Sequence, residues 1–286
     1  MNKTALLILV FGSLTNAQEP SIFDAGAENH LGLTFSPDGN TAYWVEWNGK
    51  WGSSATTKRT IYLSTRKDEA WSTPAPAPFS AESNDKDPFV SPDGTWLYFI
   101  SDRPSDDADE NADGNIWRYS LTVETRMEYL SVNSDAEEYS PVVTDSGTLF
   151  FASDRPGGYG QGDIYSANRL DEGFGTSELL GSSINSPDGE WNVWVAADES
   201  ELIFESSSRP TNISIPGDLY YSSRANEGWT AAVPIERLNS EGSDLMPRLH
   251  PDGETLYYTT APIGGHASVV SVDLRGSLSA KSAVDK

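Results

Sequence analysis

The sequence contains no cysteine. That removes disulfides, thiolate catalysis and cysteine-ligated metals together. Histidine is nearly absent as well: His30, His250 and His266 are the only three in 286 residues, which leaves no histidine-rich metal motif. Basic residues are scarce, 19 Lys and Arg against 43 Asp and Glu, for a formal charge of −24. Such a surface repels phosphate backbones and anionic lipid, so nucleic acid is not an expected partner and neither is a membrane surface. The acidity favours solubility and cation binding, and it equally fits a salty habitat. Beyond the N-terminus no stretch is apolar enough to cross a bilayer, and no segment carries an apolar stripe at helical period, so membrane insertion and a helical bundle are both unexpected. A nucleophile elbow and a phosphate loop are missing too.

The N-terminus is the exception to the missing apolar runs. Met1-Asn2-Lys3 is followed by an apolar stretch from Ala5 to Leu14 and by Thr15-Asn16-Ala17. A short charged start, an apolar core too short for a span and small residues at a cleavage point predict a secretory signal over residues 1–17. The mature chain then begins at Gln18 and works in the periplasm or outside the cell. Without a cysteine at the cleavage point, lipid anchoring is not expected.

What the chain does have is a turn that returns five times. It reads Ser36-Pro37-Asp38-Gly39, Ser91-Pro92-Asp93-Gly94, Thr144-Asp145-Ser146-Gly147, Ala196-Ala197-Asp198-Glu199 and His250-Pro251-Asp252-Gly253, at steps of 55, 53, 52 and 54. A period of about 54 residues marks an array of one supersecondary unit. The second copy shows the unit best: a strand Pro88-Phe89-Val90, the turn, a strand Trp96 to Ile100, a polar loop to Asn115, a strand Ile116 to Tyr119 and a strand Met127 to Leu130. Aromatic and β-branched residues dominate each run. Second strands recur at Ala42–Val45, Leu149–Phe151, Leu202–Phe204 and Leu256–Tyr258, and third strands at Ile61–Leu63, Ile164–Ser166, Leu219–Tyr221 and Val269–Ser271. Four short antiparallel strands per unit predict an all-β fold, a five-bladed β-propeller over residues 18–286. The last repeat lacks a fourth strand, while Pro20-Ser21-Ile22-Phe23 resembles Ala77-Pro78-Phe79 at the end of blade one. The N-terminal strand is therefore expected to complete blade five.

These residues resemble a known family. The Ser-Pro-Asp-Gly turn, the loops Ser101-Asp102-Arg103-Pro104 and Ser153-Asp154-Arg155-Pro156, and Gly162-Asp163-Ile164-Tyr165 are similar to the WD40-like repeats of TolB-type propellers. Leu179 to Gly181, Ile184-Asn185-Ser186 and Glu190 resemble the fourth strand and exit loop of the same repeats in envelope proteins. The resemblance implies a propeller that binds an envelope partner. In those envelope proteins the propeller is often joined to a peptidoglycan-binding OmpA-like domain; no second domain is expected here, and so no peptidoglycan-anchoring role.

Strand order places the second-to-third and fourth-to-first loops on one face and the Pro-Asp-Gly turns on the other. Six residues before each turn stand His30, Asp85, Glu138, Glu190 and Asp244, expected in the fourth-to-first loops around the channel mouth. Four converging carboxylates repel unless paired or bridged. Arg103, Arg155 and Arg209 on the same face could staple neighbouring blades as bidentate pairs. The alternatives are a cation or polar ligand, with His30 as a transition-metal ligand among carboxylates, or glycosidase-type catalysis by Asp85, Glu138, Glu190 and Asp244. Trp47, Trp51, Tyr159 and Trp191 are expected on the same face, where rings suit sugar or peptide stacking; the other reading packs them between blades. With Arg103, Arg155 and His30 they form the candidate ligand-binding set.

No cofactor is certain from the sequence; a calcium loop is one reading of the segment from Asp109 to Ile116, and a solvated acidic loop is the other. Asp109, Asn111 and Asp113 occupy positions one, three and five of a calcium-loop pattern with Gly114 at six, but Ser120 stands where the twelfth-position Glu belongs. The leading expectation is a non-catalytic binding propeller for a glycan, peptide or envelope protein, with a carbohydrate-active enzyme as the alternative. A structural ion in the Asp109–Asp113 loop predicts a melting temperature that falls when the protein is heated with a chelator; an unchanged melting point counts against the ion.

Overall fold

The computed structural model describes residues 28–51, 58–68, 70–80, 82–105, 113–226 and 228–274. Among them there is no helix, and the strands form five antiparallel sheets, each in meander order. Blade one runs Asn29–Phe35, Thr41–Trp47, Thr60–Lys67 and Ala75–Pro76. Blade two runs Asp85–Val90, Trp96–Ser101, Asn115–Ser120 and Met127–Tyr129; blade three Glu138–Val143, Leu149–Ser153, Asp163–Ala167 and Glu178–Leu179; blade four Gly189–Val195, Glu201–Ser207, Asp218–Ala225 and Val233–Pro234. Blade five shows Ser243–Leu249, Thr255–Ala261 and Ser268–Asp273 among the described residues. The segment around Ile22 and the signal expected over residues 1–17 lie outside them.

The recurring turn behaves alike in all five copies. Gly39, Gly94 and Gly253 have φ near +70°, where a residue without Cβ is favoured. Their amides donate to the carbonyls of Ser36, Ser91 and His250. Ser36 Oγ donates to Asp38 at 2.6 Å and Ser91 Oγ to Asp93 at 2.5 Å, which locks the loop from inside. The degenerate copies keep the backbone: Gly147 donates to Thr144 and Glu199, at φ 56°, donates to Ala196. Glu199 offsets its left-handed strain by accepting from Thr144 Oγ1 and Ser146 Oγ of blade three.

One expectation shifts. In blade one the outer strand is Ala75–Pro76, paired with Tyr62 and Leu63, rather than Ala77–Phe79. Phe79 instead leaves the sheet to pack on Phe99 and Tyr119 of blade two, with ring centroids 4.8 and 4.7 Å apart. The segments around Trp71 and Trp229 form short hairpin extensions, Ala70–Trp71 and Gly228–Trp229.

Alternating side chains bury both faces of the blades. Phe151, Phe204, Trp44, Tyr98 and Tyr220 are among the largest fully buried groups. Closure is visible between blades one and five: His30 N donates to Ala267 O at 3.0 Å, and Ala267 N to Asn29 Oδ1 at 2.6 Å.

Each first strand carries a bulge at the same level. The register slips between Leu31 and Thr34, Lys86 and Phe89, Tyr139 and Val142, Trp191 and Trp194, and Leu245 and Arg248. At its centre stand Gly32, Asp87, Ser140, Asn192 and Met246, all with φ between 45° and 60°. A bulge bends the strand and re-aims its side chains. Only blade one uses glycine here, because a Cβ on Gly32 would lie 3.3 Å from Met246 Sδ and 3.8 Å from Pro88 Cδ. Gly32→Ala is expected to cost about 1–3 kcal/mol in a denaturant melt, whereas Gly181→Ala, with open space around its Cβ, should stay within about 0.5 kcal/mol of the parent.

Candidate functional site

The five residues picked out before each turn lie in the first strands, not in the loops before them. His30, Asp85, Glu138, Glu190 and Asp244 are all buried, the carboxylates at 0–1% exposure. The reason is local hydrogen bonding. Asn133, Asn185 and Asn239 in the exit loops use their side-chain amides to pair with the backbone of Ile116, Ile164 and Leu219, as an extra strand would. The next residue in each case is serine. Ser134 Oγ donates to Glu138 at 2.6 Å, Ser186 Oγ to Glu190 at 2.7 Å, and Ser240 N to Asp244 at 2.6 Å. An Asn-Ser pair four residues ahead of a carboxylate therefore pulls the acid into the blade.

The arginines complete this unit. Arg103, Arg155 and Arg209 contact Asp85, Glu138 and Glu190 at 2.8 Å each. Each meets a single carboxylate oxygen of its own blade, not a bidentate fork across blades. The same guanidinium donates to a carbonyl of the preceding exit loop, Phe79, Val132 or Ile184. It also stacks on two rings: Phe99 and Trp117, Phe151 and Tyr165, or Phe204 and Tyr220, at 4.8–5.6 Å. Burial still pushes the Glu138 carboxyl up from its usual range, with Ser134 and Arg155 opposing. These acids are structural cross-links buried behind their arginines, although Asp85 Oδ2 has no partner.

The residues at the mouth come one and two positions later. A cavity of about 170 Å³ on the loop face is lined by Leu31, Trp51, Arg59, Lys86, Asp87, Tyr139, Asn192 and Met246. Its rim is aromatic and cationic, not acidic. Lys86 Nζ lies 4.5 Å from the Tyr139 ring centroid and 3.4 Å from Glu137. Trp51 is pinned by Nε1 to Ser243 Oγ at 2.9 Å. The missed signal is the bulge: without it, strand alternation points the wrong residues at the axis.

The remaining predicted residues divide. Trp47 is buried beneath the Arg59 guanidinium at 5.0 Å and edge-on to Trp51, so it supports the rim rather than joining it. Trp191 packs edge-on against Tyr139 at 5.0 Å. Tyr159 is 47% exposed, on a loop whose amides bind the buried Asp163. Asp109 and Asn111 lie outside the described residues, and the Asp113 carboxylate accepts from Asn115 Nδ2 at 3.0 Å. Among the described residues no three His, Cys, Asp or Glu are arranged to hold a metal ion.

Below the rim the bulge residues Asp87, Ser140 and Asn192 form a polar waist. Ser140 N donates to Asp87 Oδ2 at 3.0 Å, Ser140 Oγ to Asn192 Oδ1 at 2.7 Å, and Asn192 Nδ2 to Glu205. Asp87 Oδ1 is buried with no partner. Glu205 was not foreseen. It stands in the second strand of blade four at the level where the other blades carry Val45, Ile100, Ala152 and Thr259. A Cβ on Gly217 would fall 2.1 Å from its Oε1, so the glycine makes room for the carboxyl. Burial, then the charges of Asp87, Asp244 and Asp218 against the Asn192 bond, push Glu205 up to about 8, and burial pushes Asp244 up to about 6.

No protein-family model matches the sequence, and no curated protein is similar to it. Solved structures do share the fold. A gluconolactonase from Xanthomonas campestris is 12% identical at a TM-score of 0.51, over 92% of this chain and 97% of that one. The arabinofuranosidase PaAbf62A from Podospora anserina is 9% identical at 0.51, over 91% and 95%. A puromycin-hydrolysing peptidase from Mycobacterium tuberculosis is 16% identical at 0.47; the match covers 83% of this chain and only 35% of that chain. At these identities the likeness concerns the propeller fold alone.

The raised Glu205 value sets a sign for stability. The folded chain holds this proton more tightly than the unfolded chain, so the contribution is complete below the unfolded value near 4.5 and is lost as pH rises towards about 8. Asp244 acts in the same sense up to about 6. Melting temperature should therefore fall between pH 5 and 8, by the equivalent of about 2–5 kcal/mol, and Glu205→Gln should flatten that decline. Superimposable profiles for parent and variant would contradict the assignment.

Proposed function

We propose that the chain is a secreted, non-catalytic binding propeller of the TolB type that holds a glycan or peptide partner at the loop-face mouth. The observation that carries this reading is the rim: the Trp51 and Tyr139 rings beside the Lys86 and Arg59 cations, around a cavity of about 170 Å³ with Asp87 beneath. Flat rings give stacking surface at little conformational cost. A cation beside them and a carboxylate below supply orientation for the hydroxyl, amide or acid groups of a sugar or peptide. The ring acids Asp85, Glu138 and Glu190 are spent on their arginines, which leaves binding rather than acid–base work as the better use of this face. Support for the TolB type comes from the Ser-Pro-Asp-Gly turn and the Ser-Asp-Arg-Pro loop, which do repeating structural work in successive blades. Support for secretion comes from the apolar leader over residues 1–17.

A carbohydrate-active enzyme is the second reading, and Glu205 favours it. A carboxyl that keeps its proton near neutral pH, bonded to the cavity-lining Asn192 and close to the charges of Asp87 and Asp244, is what a general acid requires.

A glycan and peptide array on the full secreted chain, followed by a reducing-end assay on the hits, separates the two. The first reading predicts binding without turnover, weakened about tenfold or more (at least about 1.4 kcal/mol) by Trp51→Ala or Lys86→Ala. Turnover that Glu205→Gln abolishes and Tyr159→Ala preserves would establish the second.

A further inference from the structure

The opposite end of the channel, beneath the Pro-Asp-Gly turns, holds a cavity of about 280 Å³. Its wall is a belt with one residue from each first strand: Phe35, Val90, Val143, Val195 and Leu249. One position earlier stand Thr34, Phe89, Val142, Trp194 and Arg248, which share one register with their second strands. Four of these five are uncharged, and the fifth places a guanidinium in an apolar chamber.

Arg248 is 3% exposed. Its Nη1 donates to the carbonyls of Val193 at 3.1 Å and Pro247 at 2.8 Å, which fixes the group. The guanidinium lies 5.8 Å from the Phe89 ring centroid. Its Nε has no partner. The partly buried Arg103, Arg155 and Arg209 each have a carboxylate against them; among the described residues none lies within 4 Å of the fully buried Arg248. Burial holds its basicity down, to about 10, and among the described residues the charge of Asp87 at the waist opposes this. An unpaired cation in an apolar chamber is costly, and the missing complement is an anion.

We propose that this cavity is a second binding site, for a small monocarboxylate with an apolar body. One guanidinium on the cavity wall, with no carboxylate against it among the described residues, matches one carboxylate. Apolar walls contributed by five blades select against a strongly hydrated anion such as phosphate and favour an alkyl or aryl group behind the carboxylate. The same chemistry is found in a free organic acid and in the C-terminal carboxylate of an apolar peptide. The site is independent of the loop-face reading, since its lining residues are different.

Titration calorimetry on the full chain, at physiological salt so that the overall negative charge is screened, tests this with hexanoate and benzoate against hexanamide and benzamide. The acids are expected to bind at least about tenfold tighter than their amides. Arg248→Gln should erase that preference, Val195→Trp should abolish binding by filling the chamber, and Val123→Ser, at an exposed residue that lines neither cavity, should change neither. Should Arg248→Gln fail to fold, the acid-to-amide ratio in the parent protein decides alone. An apolar tripeptide with a free or amidated C-terminus identifies the source: a tighter free acid assigns a metabolite, and a tighter peptide assigns a protein terminus. Equal binding of acid and amide, no saturable carboxylate binding, or loss of binding in Val123→Ser rather than Arg248→Gln would overturn the proposal.

Discussion

Five strands that converge on one axis cannot all remain flat. In this propeller each relieves the crowding by a single left-handed residue at the same height, and Gly32, Asp87, Ser140, Asn192 and Met246 form the waist that results. The bulge decides the role of every neighbour. Two residues before it, a side chain turns back into the blade; one residue before, Leu31, Lys86 and Tyr139 border the loop-face mouth; two and three residues after, all but Val142 border the turn-face chamber. A one-residue difference in strand register moves a side chain to another face, so the bulge separates structural acids from channel residues.

The charges then fall into two populations. Asp85, Glu138 and Glu190 are buried, but each has an arginine, and the arginine in turn has two rings and a carbonyl of the preceding blade. Removing one partner of such a pair strands the other in a dry site, so these clusters hold successive blades in register and have little freedom for chemistry. Glu205, Asp87 and Arg248 form the other population: buried, close to the axis, and incompletely matched. Buried mismatch is costly to a fold, and its concentration along one channel is the main reason to place function there.

Much of the architecture was legible in the residues. The turns of blades one and two are written in Ser, Pro, Asp and Gly because the turn uses a hydroxyl, a fixed φ, a carboxylate and a left-handed residue, in that order, and the three variant copies keep the spacing. The aromatic second strands were equally plain. The candidate site was less legible, because bulges leave almost no trace in composition: Gly32 is the one waist residue that announces an unusual backbone, while Asp87, Ser140, Asn192 and Met246 do not. Counting back from the turns therefore found acids at the right height but on the wrong side of the strand. The Asn-Ser pairs at Asn133, Asn185 and Asn239 were the available warning, since a serine four residues before a carboxylate predicts a closed hydrogen-bonded loop. Glu205 and Arg248 could have been noticed as charges that break an apolar register shared by the other blades.

The absence of native cysteine makes the central claim directly measurable. Single cysteines can be placed at Lys86 and Tyr139, on the channel side of the bulge, and at Ser101 and Ser153, at the same level but inside the blades. The first two should react readily with a charged methanethiosulfonate reagent in the native protein, and the last two should be protected until unfolding. Protection at Lys86→Cys and Tyr139→Cys together with ready labelling at Ser153→Cys would mean that the first strands face the axis through other residues, and the channel account would fail.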